Sequence, residues 1–196
     1  MRILMVAPPG SGKGTQAARL AEHYGITHLA SGDLLRREMR AGTDIGTAAR
    51  AYVDRGDLVP DELVMRLVID RILAVAPEGG FVLDGFPRNL EQAEEAHAAA
   101  EGHEEVQLQA VVHLDVPRDE LRRRMLARAD AEGRSDDSST VIEHRLAVYD
   151  AETEPLLDYY RRRGILISVD GTAAVDEVTA SLFEALDAVD GRHARR

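Results

Sequence analysis

Near its start the chain sets a continuously apolar run, Ile3-Leu4-Met5-Val6-Ala7, directly before the segment Pro8-Pro9-Gly10-Ser11-Gly12-Lys13-Gly14-Thr15. A helical pattern follows from Thr15 to about Tyr24, with Ala17, Ala18, Leu20 and Ala21 as its apolar positions, and stops at Gly25. An apolar run that ends on proline and glycine reads as a buried parallel strand entering a loop. Strand, glycine loop and helix in that order make a site for phosphate. Gly10, Gly12 and Gly14 let successive amides curl into one cavity, and the helix adds its dipole and free N–H groups. Lys13 supplies a mobile positive charge for outer phosphates. The match to G-x-x-x-x-G-K-[ST] is partial, because Ala7 holds the first glycine position and Gly14 stands before the hydroxyl of Thr15.

The basic residues sharpen this reading. Of 24, Lys13 is the only lysine, and it falls at the loop position that needs an ammonium. The same count excludes a guanine-reading N-K-x-D motif and the strand lysine of a protein kinase. With no cysteine, disulfides, thiol catalysis and cysteine-ligated zinc or iron–sulfur centres are excluded. The seven histidines form no H-E-x-x-H and no close pair, and read as surface or core residues. A net charge of −11 disfavours nucleic acid and membrane surfaces as partners, while leaving room for a local basic pocket. The apolar run at Ile3 is too short for a signal-peptide core, and no stretch approaches the ~20 apolar residues of a membrane span. A cytoplasmic location is expected.

Along the 196 residues, apolar strands are expected at 3–7, 81–83, 110–114 and 165–169. Helices are expected at about 33–39, 44–55, from Pro60, at 91–101, 118–128, from Ser138 or Ser139 to Glu152, from Pro155, and at 175–186. Residues 129–137 read as a short excursion, and Arg192 to Arg196 as a frayed tail. Strands alternating with helices indicate an α/β fold, a doubly wound parallel sheet with helices on both faces.

Five segments, in order, carry a family resemblance. Pro9-Gly10-Ser11-Gly12-Lys13-Gly14-Thr15-Gln16 resembles the loop of adenylate kinases and related nucleoside monophosphate kinases, where glycine after the lysine is usual. Ala30-Ser31-Gly32-Asp33-Leu34-Leu35-Arg36 resembles the start of the AMP-binding region, and Gly56-Asp57-Leu58-Val59-Pro60 its end. Asp84-Gly85-Phe86-Pro87-Arg88 with Gln92-Ala93 is similar to the family signature. Arg134-Ser135-Asp136-Asp137 with Arg145 resembles the lid edge and the helix behind it.

The resemblance implies a P-loop nucleoside triphosphate hydrolase type of fold. Its core would be 1–29, 60–127 and 138–196, with a helical monophosphate-binding lobe at 30–59 and a short lid, without zinc, at 128–137. It implies a monomer catalysing ATP + AMP ⇌ 2 ADP with magnesium, in adenine nucleotide homeostasis. ATP would meet Gly10, Ser11, Gly12, Lys13, Gly14, Thr15, Arg128 and the backbone near Ala173. AMP would meet Ser31, Arg36, the backbone of Asp57, Leu58 and Val59, then Gly85, Phe86, Pro87, Arg88 and Gln92, with Arg134 and Arg145 at the transferring group. Lys13, Arg88, Arg128, Arg134 and Arg145 would carry the catalytic charge, and Arg124, four residues before Arg128 on the same helix face, is a further candidate. Asp84 and Asp33, with Thr15 as a further oxygen, would organise water around the magnesium ion. A UMP/CMP kinase and a non-catalytic ATP-binding regulator are the alternatives; Gln92-Ala93 favours adenine.

Overall fold

The computed structural model describes residues 1–103, 105–132 and 138–193. Five parallel strands form one sheet in the order β2-β3-β1-β4-β5. They are β1 (Arg2–Met5), β2 (Thr27–Ala30), β3 (Phe81–Asp84), β4 (Ala110–Asp115) and β5 (Leu166–Asp170). The helices are α1 (Lys13–Tyr24), α2 (Ser31–Ala41), α3 (Asp44–Arg55), α4 (Asp61–Val75), α5 (Leu90–Ala99), α6 (Arg118–Glu132), α7 (Ser139–Val148), α8 (Pro155–Arg162) and α9 (Val175–His193).

Alternation along β1 divides the core. Ile3 and Met5 point to one face and join Ala17, Leu20, Leu182 and Leu186 from α1 and α9. Leu4 and Val6 point to the other and join Ala93, Leu156, Tyr159 and Tyr160 from α5 and α8. With β3 on one side of β1 and β4 on the other, the chain reverses its winding at β1. The loop leaving β1 therefore opens at the carboxyl ends of the strands, where open α/β sheets bind ligands. Two smaller clusters flank this edge: Leu35, Ala49, Val59, Val64, Val68 and Phe86 between α2, α3 and α4, and Leu121, Met125, Ile142 and Leu146 between α6 and α7.

The doubly wound sheet matches the expectation, with local differences. β2 was not expected; it is an edge strand paired only with β3, and Thr27-His28-Leu29-Ala30 has no apolar run to announce it. α1 starts at Lys13, two residues earlier, because the glycine loop itself supplies the N-cap at Gly12. Residues 129–132 continue α6 instead of opening an excursion, and α9 continues to His193. A π-helical segment, Tyr149–Thr153, joins α7 to α8. The expected excursion at 133–137 and the last three residues of the tail lie outside the described residues. No helix among the described residues is long and apolar enough to cross a membrane.

Candidate active site

The phosphate loop is shaped by glycine where no other residue fits. Gly10 has φ 84°, and a Cβ there would stand 2.8 Å from Leu121 O and 2.9 Å from Met125 Cγ, so the loop lies directly on α6. Among the described residues every positive φ belongs to a glycine. Ala7 is therefore unstrained, and its side chain is buried. Ser11 N donates to Pro8 O at 3.3 Å, closing the turn, and Gln16 N donates to Gly12 O at 3.1 Å as α1 begins. Gln16 ties the same helix to α9: its Nε2 donates to Val175 O at 3.0 Å, and Thr179 Oγ1 donates to its Oε1 at 2.8 Å. Thr15 is exposed in the first turn of α1.

Register then brings β3 into the site. Met5 pairs with Asp84, which places that carboxylate beside the start of the loop. A Cβ on Gly14 would stand 3.6 Å from Asp84 Oδ2, so Asp84 reaches the first turn of α1. Asp84 Oδ1 is buried and has no hydrogen-bond partner among the described residues. Gly85, in the loop after β3, and Ser31, the first residue of α2, hold Arg88 over this edge. Its Nε donates to Gly85 O at 2.6 Å and one terminal nitrogen to Ser31 Oγ at 3.3 Å, while Ser31 Oγ donates to the same Gly85 O at 2.6 Å. Gln92 is buried, its oxygen accepting from Arg88 N and its amide donating to Asp61. Arg36 is paired with Asp33 at 2.5 Å.

A cleft of about 170 Å³ opens between these parts. Its walls bring together Lys13, Arg36, Asp57, Leu58, Gly85, Pro87, Arg88 and Arg145. Asp33 and Gln92 do not line it, and Val59 and Phe86 are buried in the cluster between α2, α3 and α4. Burial pushes the Lys13 ammonium below its ordinary pKa; Asp84 opposes this, while Arg145, Arg88 and Arg128 add to it. Arg88 is pushed down the same way, by burial first, against Asp84 and with Arg145 and Arg36. Neither Lys13 nor Arg88 forms an ion pair with an acid among the described residues. Several cations thus converge on one carboxylate, and a polyanion is the ligand that relieves such crowding.

Further residues complete the surroundings. Arg124 is held by Glu120 at 2.7 Å and reaches Ser11 O at 3.4 Å and Thr172 O at 3.5 Å, bridging the phosphate loop and the loop that carries the exposed Ala173. Arg128 follows one turn later on α6, half-buried. Arg134 lies outside the described residues. Three contacts escaped the sequence reading. Thr153 Oγ1 donates to Arg88 O at 2.7 Å, and His144 Nε2 meets Asp57 Oδ1 at 2.5 Å. Gly56, with φ 79°, lies so close to α7 that a Cβ would stand 2.7 Å from Arg145 Cγ. The neighbours of Arg145 in sequence were the only available signal for His144, and its partner is 87 residues away.

A parallel sheet whose first strand runs through a lysine-bearing glycine loop into a helix, beneath a ring of arginines, defines a P-loop phosphotransferase. Comparison with known proteins narrows this. The family model for adenylate kinase matches residues 5–165. An adenylate kinase of Micrococcus luteus is 48% identical over 190 residues, covering 96% of this chain and 91% of its own. One from a Nocardioides species is 44% identical over 191 residues, covering 96% and 98%, and one from Streptomyces griseus is 43% identical over 218 aligned positions, covering 97% and 99%. The chain belongs to the adenylate kinase family: it is a nucleoside monophosphate kinase catalysing ATP + AMP ⇌ 2 ADP.

Proposed function

We propose that ATP lays its phosphates along Gly10 to Thr15 and that AMP enters between residues 30–59 and Arg88. The convergence of Lys13, Arg36, Arg88 and Arg145 on one cleft carries this reading. At about 170 Å³ the cleft is smaller than the ~300–1,000 Å³ of typical ligand pockets, so residues 30–59 swing outward to admit nucleotides. On the donor side Lys13 and Arg128 hold the outer phosphates, with Arg124 and the backbone near Ala173 beside the adenosine. On the acceptor side Arg88 and Arg36 grip the AMP phosphate, the latter released from Asp33 as phosphate displaces the carboxylate. Gly85, Pro87, Asp57 and Leu58 line the AMP pocket, with Ser31, Phe86 and Val59 packed behind it. Gln92 braces Arg88 from behind, and reading the adenine edge requires it to leave Asp61.

A phosphate oxygen of AMP attacks the γ-phosphorus of ATP; one P–O bond forms as the bond to the departing ADP breaks. That oxygen is already largely ionised at neutral pH, the second phosphate pKa being about 6, so no base is required. Lys13, Arg88, Arg134 and Arg145 stabilise the charge on the transferring group. The orphaned, buried Oδ1 of Asp84 fits a magnesium ion held through water, with Thr15 as a further oxygen and Asp33 once Arg36 has left it. Bound there with ATP, the ion supplies positive charge to the phosphates. The enzyme works as a cytoplasmic monomer on small nucleotides, since one chain supplies both halves of the cleft, and a net charge of −11 supports neither nucleic acid nor membrane as a partner.

Two adenosines joined by five phosphates test this reading. The compound fills both halves at once and gains from an effective concentration near the millimolar scale, so it binds ~10²–10⁴ times tighter than either nucleotide. Calorimetry with one compound per chain, displaced by both ATP and AMP, is the expected result. Binding no tighter than ATP, or two compounds per chain, overturns the facing-site arrangement.

A further inference from the structure

Behind the Arg88 loop lies a second and larger cavity, about 420 Å³, walled by α4, α5, α8 and the residues leading into β4. Its volume falls within the ~300–1,000 Å³ of small-molecule sites, which the nucleotide cleft does not reach. The walls are mostly aliphatic and aromatic: Ile72, Leu73, Ala96 and Leu108 with Tyr159 and Tyr160. Leu73 remains 59% exposed.

Besides His97 and Gln107, the polar groups of this lining include Tyr160 on α8 and Arg163, the residue that caps the C-terminus of α8 three positions on. The Tyr160 side chain is 96% buried, being 4% exposed, yet its hydroxyl has no hydrogen-bond partner among the described residues. The Tyr149 hydroxyl is buried without a partner elsewhere, whereas Tyr160 is a residue of this cavity's lining. Burial pushes the Tyr160 pKa well up, which keeps the group a hydrogen-bond donor at neutral pH. Arg163 follows at the mouth, its guanidinium carbon 3.7 Å from the centroid of the Tyr159 ring. Among the described residues Arg163 pairs with no carboxylate, whereas Arg161 beside it pairs with Asp158. Glu94, the acid that acts on Tyr159, is exposed on α5 and does not neutralise Arg163.

A mostly apolar chamber with a buried hydroxyl and, near it, a guanidinium that pairs with no carboxylate among the described residues suits an apolar body with an anionic head. We propose that this cavity is a second ligand site, for a small aliphatic carboxylate whose tail lies against α4 and α5 and whose head meets Tyr160 and Arg163. Its back wall, Phe86 and Pro87, separates the tail from the nucleotide cleft.

Octanoate and 1-octanol, titrated calorimetrically into the full-length enzyme saturated with ATP, form the test. Octanoate is expected to bind saturably at one site, about tenfold or more tighter than octanol, the difference that a hydrogen bond to a charged group makes. Arg163→Gln brings octanoate down to the octanol level. Ala96→Phe fills the chamber and removes both ligands while AMP-dependent ADP formation continues. Tyr160→Phe, the smallest change, weakens octanoate and leaves octanol alone, and circular dichroism verifies the fold of each variant. Absence of saturable binding overturns the proposal. So does octanoate binding unchanged in Arg163→Gln and Tyr160→Phe. Displacement of octanoate by ATP also overturns it, because the anion then occupies the phosphate cleft.

Discussion

The side-chain oxygen of Gln92 accepts the backbone N–H of Arg88 at 2.7 Å while its amide nitrogen donates to Asp61 Oδ1 at 2.6 Å. Asn89 joins the same network, donating to Asp61 Oδ2 at 3.0 Å and capping α5 through Gln92 N. The loop that presents Arg88 is therefore pinned from below to the start of α4. In this conformation Gln92 acts as a brace for the arginine's backbone.

Replacing Gln92 separates bracing from simple packing. Gln92→Glu keeps the shape but sets a carboxylate against Asp61 and loses the donor. Gln92→Ala strands the partly buried Arg88 N–H, and the loss of a partner for such a group costs about 1 kcal/mol or more. Both variants are expected to raise KM for AMP several-fold with KM for ATP nearly unchanged, and Gln92→Ala to lose about that much stability in urea. Equal changes in both KM values would contradict the bracing role.

At Lys13 the expected outcome combines lost activity with gained stability. Burial and the charges of Arg145, Arg88 and Arg128 disfavour its ammonium in the nucleotide-free protein, against Asp84 alone. Lys13→Met removes that penalty, so Tm is expected to rise or hold. Turnover is expected to fall by at least about a hundredfold, as when one transition-state donor is deleted. Turnover within a few-fold of the unchanged enzyme would remove Lys13 from the phosphate site.

Arg88 gives an asymmetric expectation. Its Nε is committed to Gly85 O and one terminal nitrogen to Ser31 Oγ, leaving the remaining face of the fork for a ligand. Lysine keeps the charge but cannot hold both anchors and a phosphate together. Arg88→Lys should weaken AMP tenfold or more while ATP changes little, each measured by separate titration. Equal losses would place Arg88 on the donor side.

What the sequence reveals divides along the range of the interactions. The phosphate loop was legible because its geometry is local: Gly10, Gly12 and Lys13 lie within four consecutive residues, and β1 announces itself by an apolar run. The sheet's winding followed from strands alternating with helices. β2 was not legible, since an edge strand half-covered by neighbours carries no periodic signal. Nor were the partners of the site residues. Gln92 finds Asp61 across 31 positions and His144 finds Asp57 across 87, and nothing in composition or spacing links such pairs before the chain folds. Gln92 stands out only through the family resemblance, as an AMP contact; nothing in the acidic pattern of α5 signals that its first turn buries Gln92 and Ala93.

Glu120 yields the last expectation, and its sign can be worked out. Hydrogen bonds from Arg123 and Arg124 pull its carboxyl down to about 2, well below the ~4.3 of an unfolded glutamate. A depressed folded pKa means stability that is fully present above about pH 4.3 and is lost as pH falls toward about 2. The pairs are close to solvent, so salt weakens them. Glu120→Gln is therefore expected to melt below the unchanged enzyme by a constant margin from pH 7 to about pH 5, a margin that narrows through the acid range and shrinks in high salt. A functional consequence accompanies it, because Glu120 also holds Arg124 between Ser11 O and Thr172 O. Without that carboxylate Arg124 leaves the junction of the phosphate loop and the loop after β5, and KM for ATP is expected to rise more than KM for AMP. Glu120→Asp, which keeps the charge on a shorter stem, should retain the acid-range narrowing while restoring only part of the ATP affinity. A stability margin independent of pH, or an AMP effect as large as the ATP effect, would show that Glu120 neither anchors its arginines by charge nor serves the donor side.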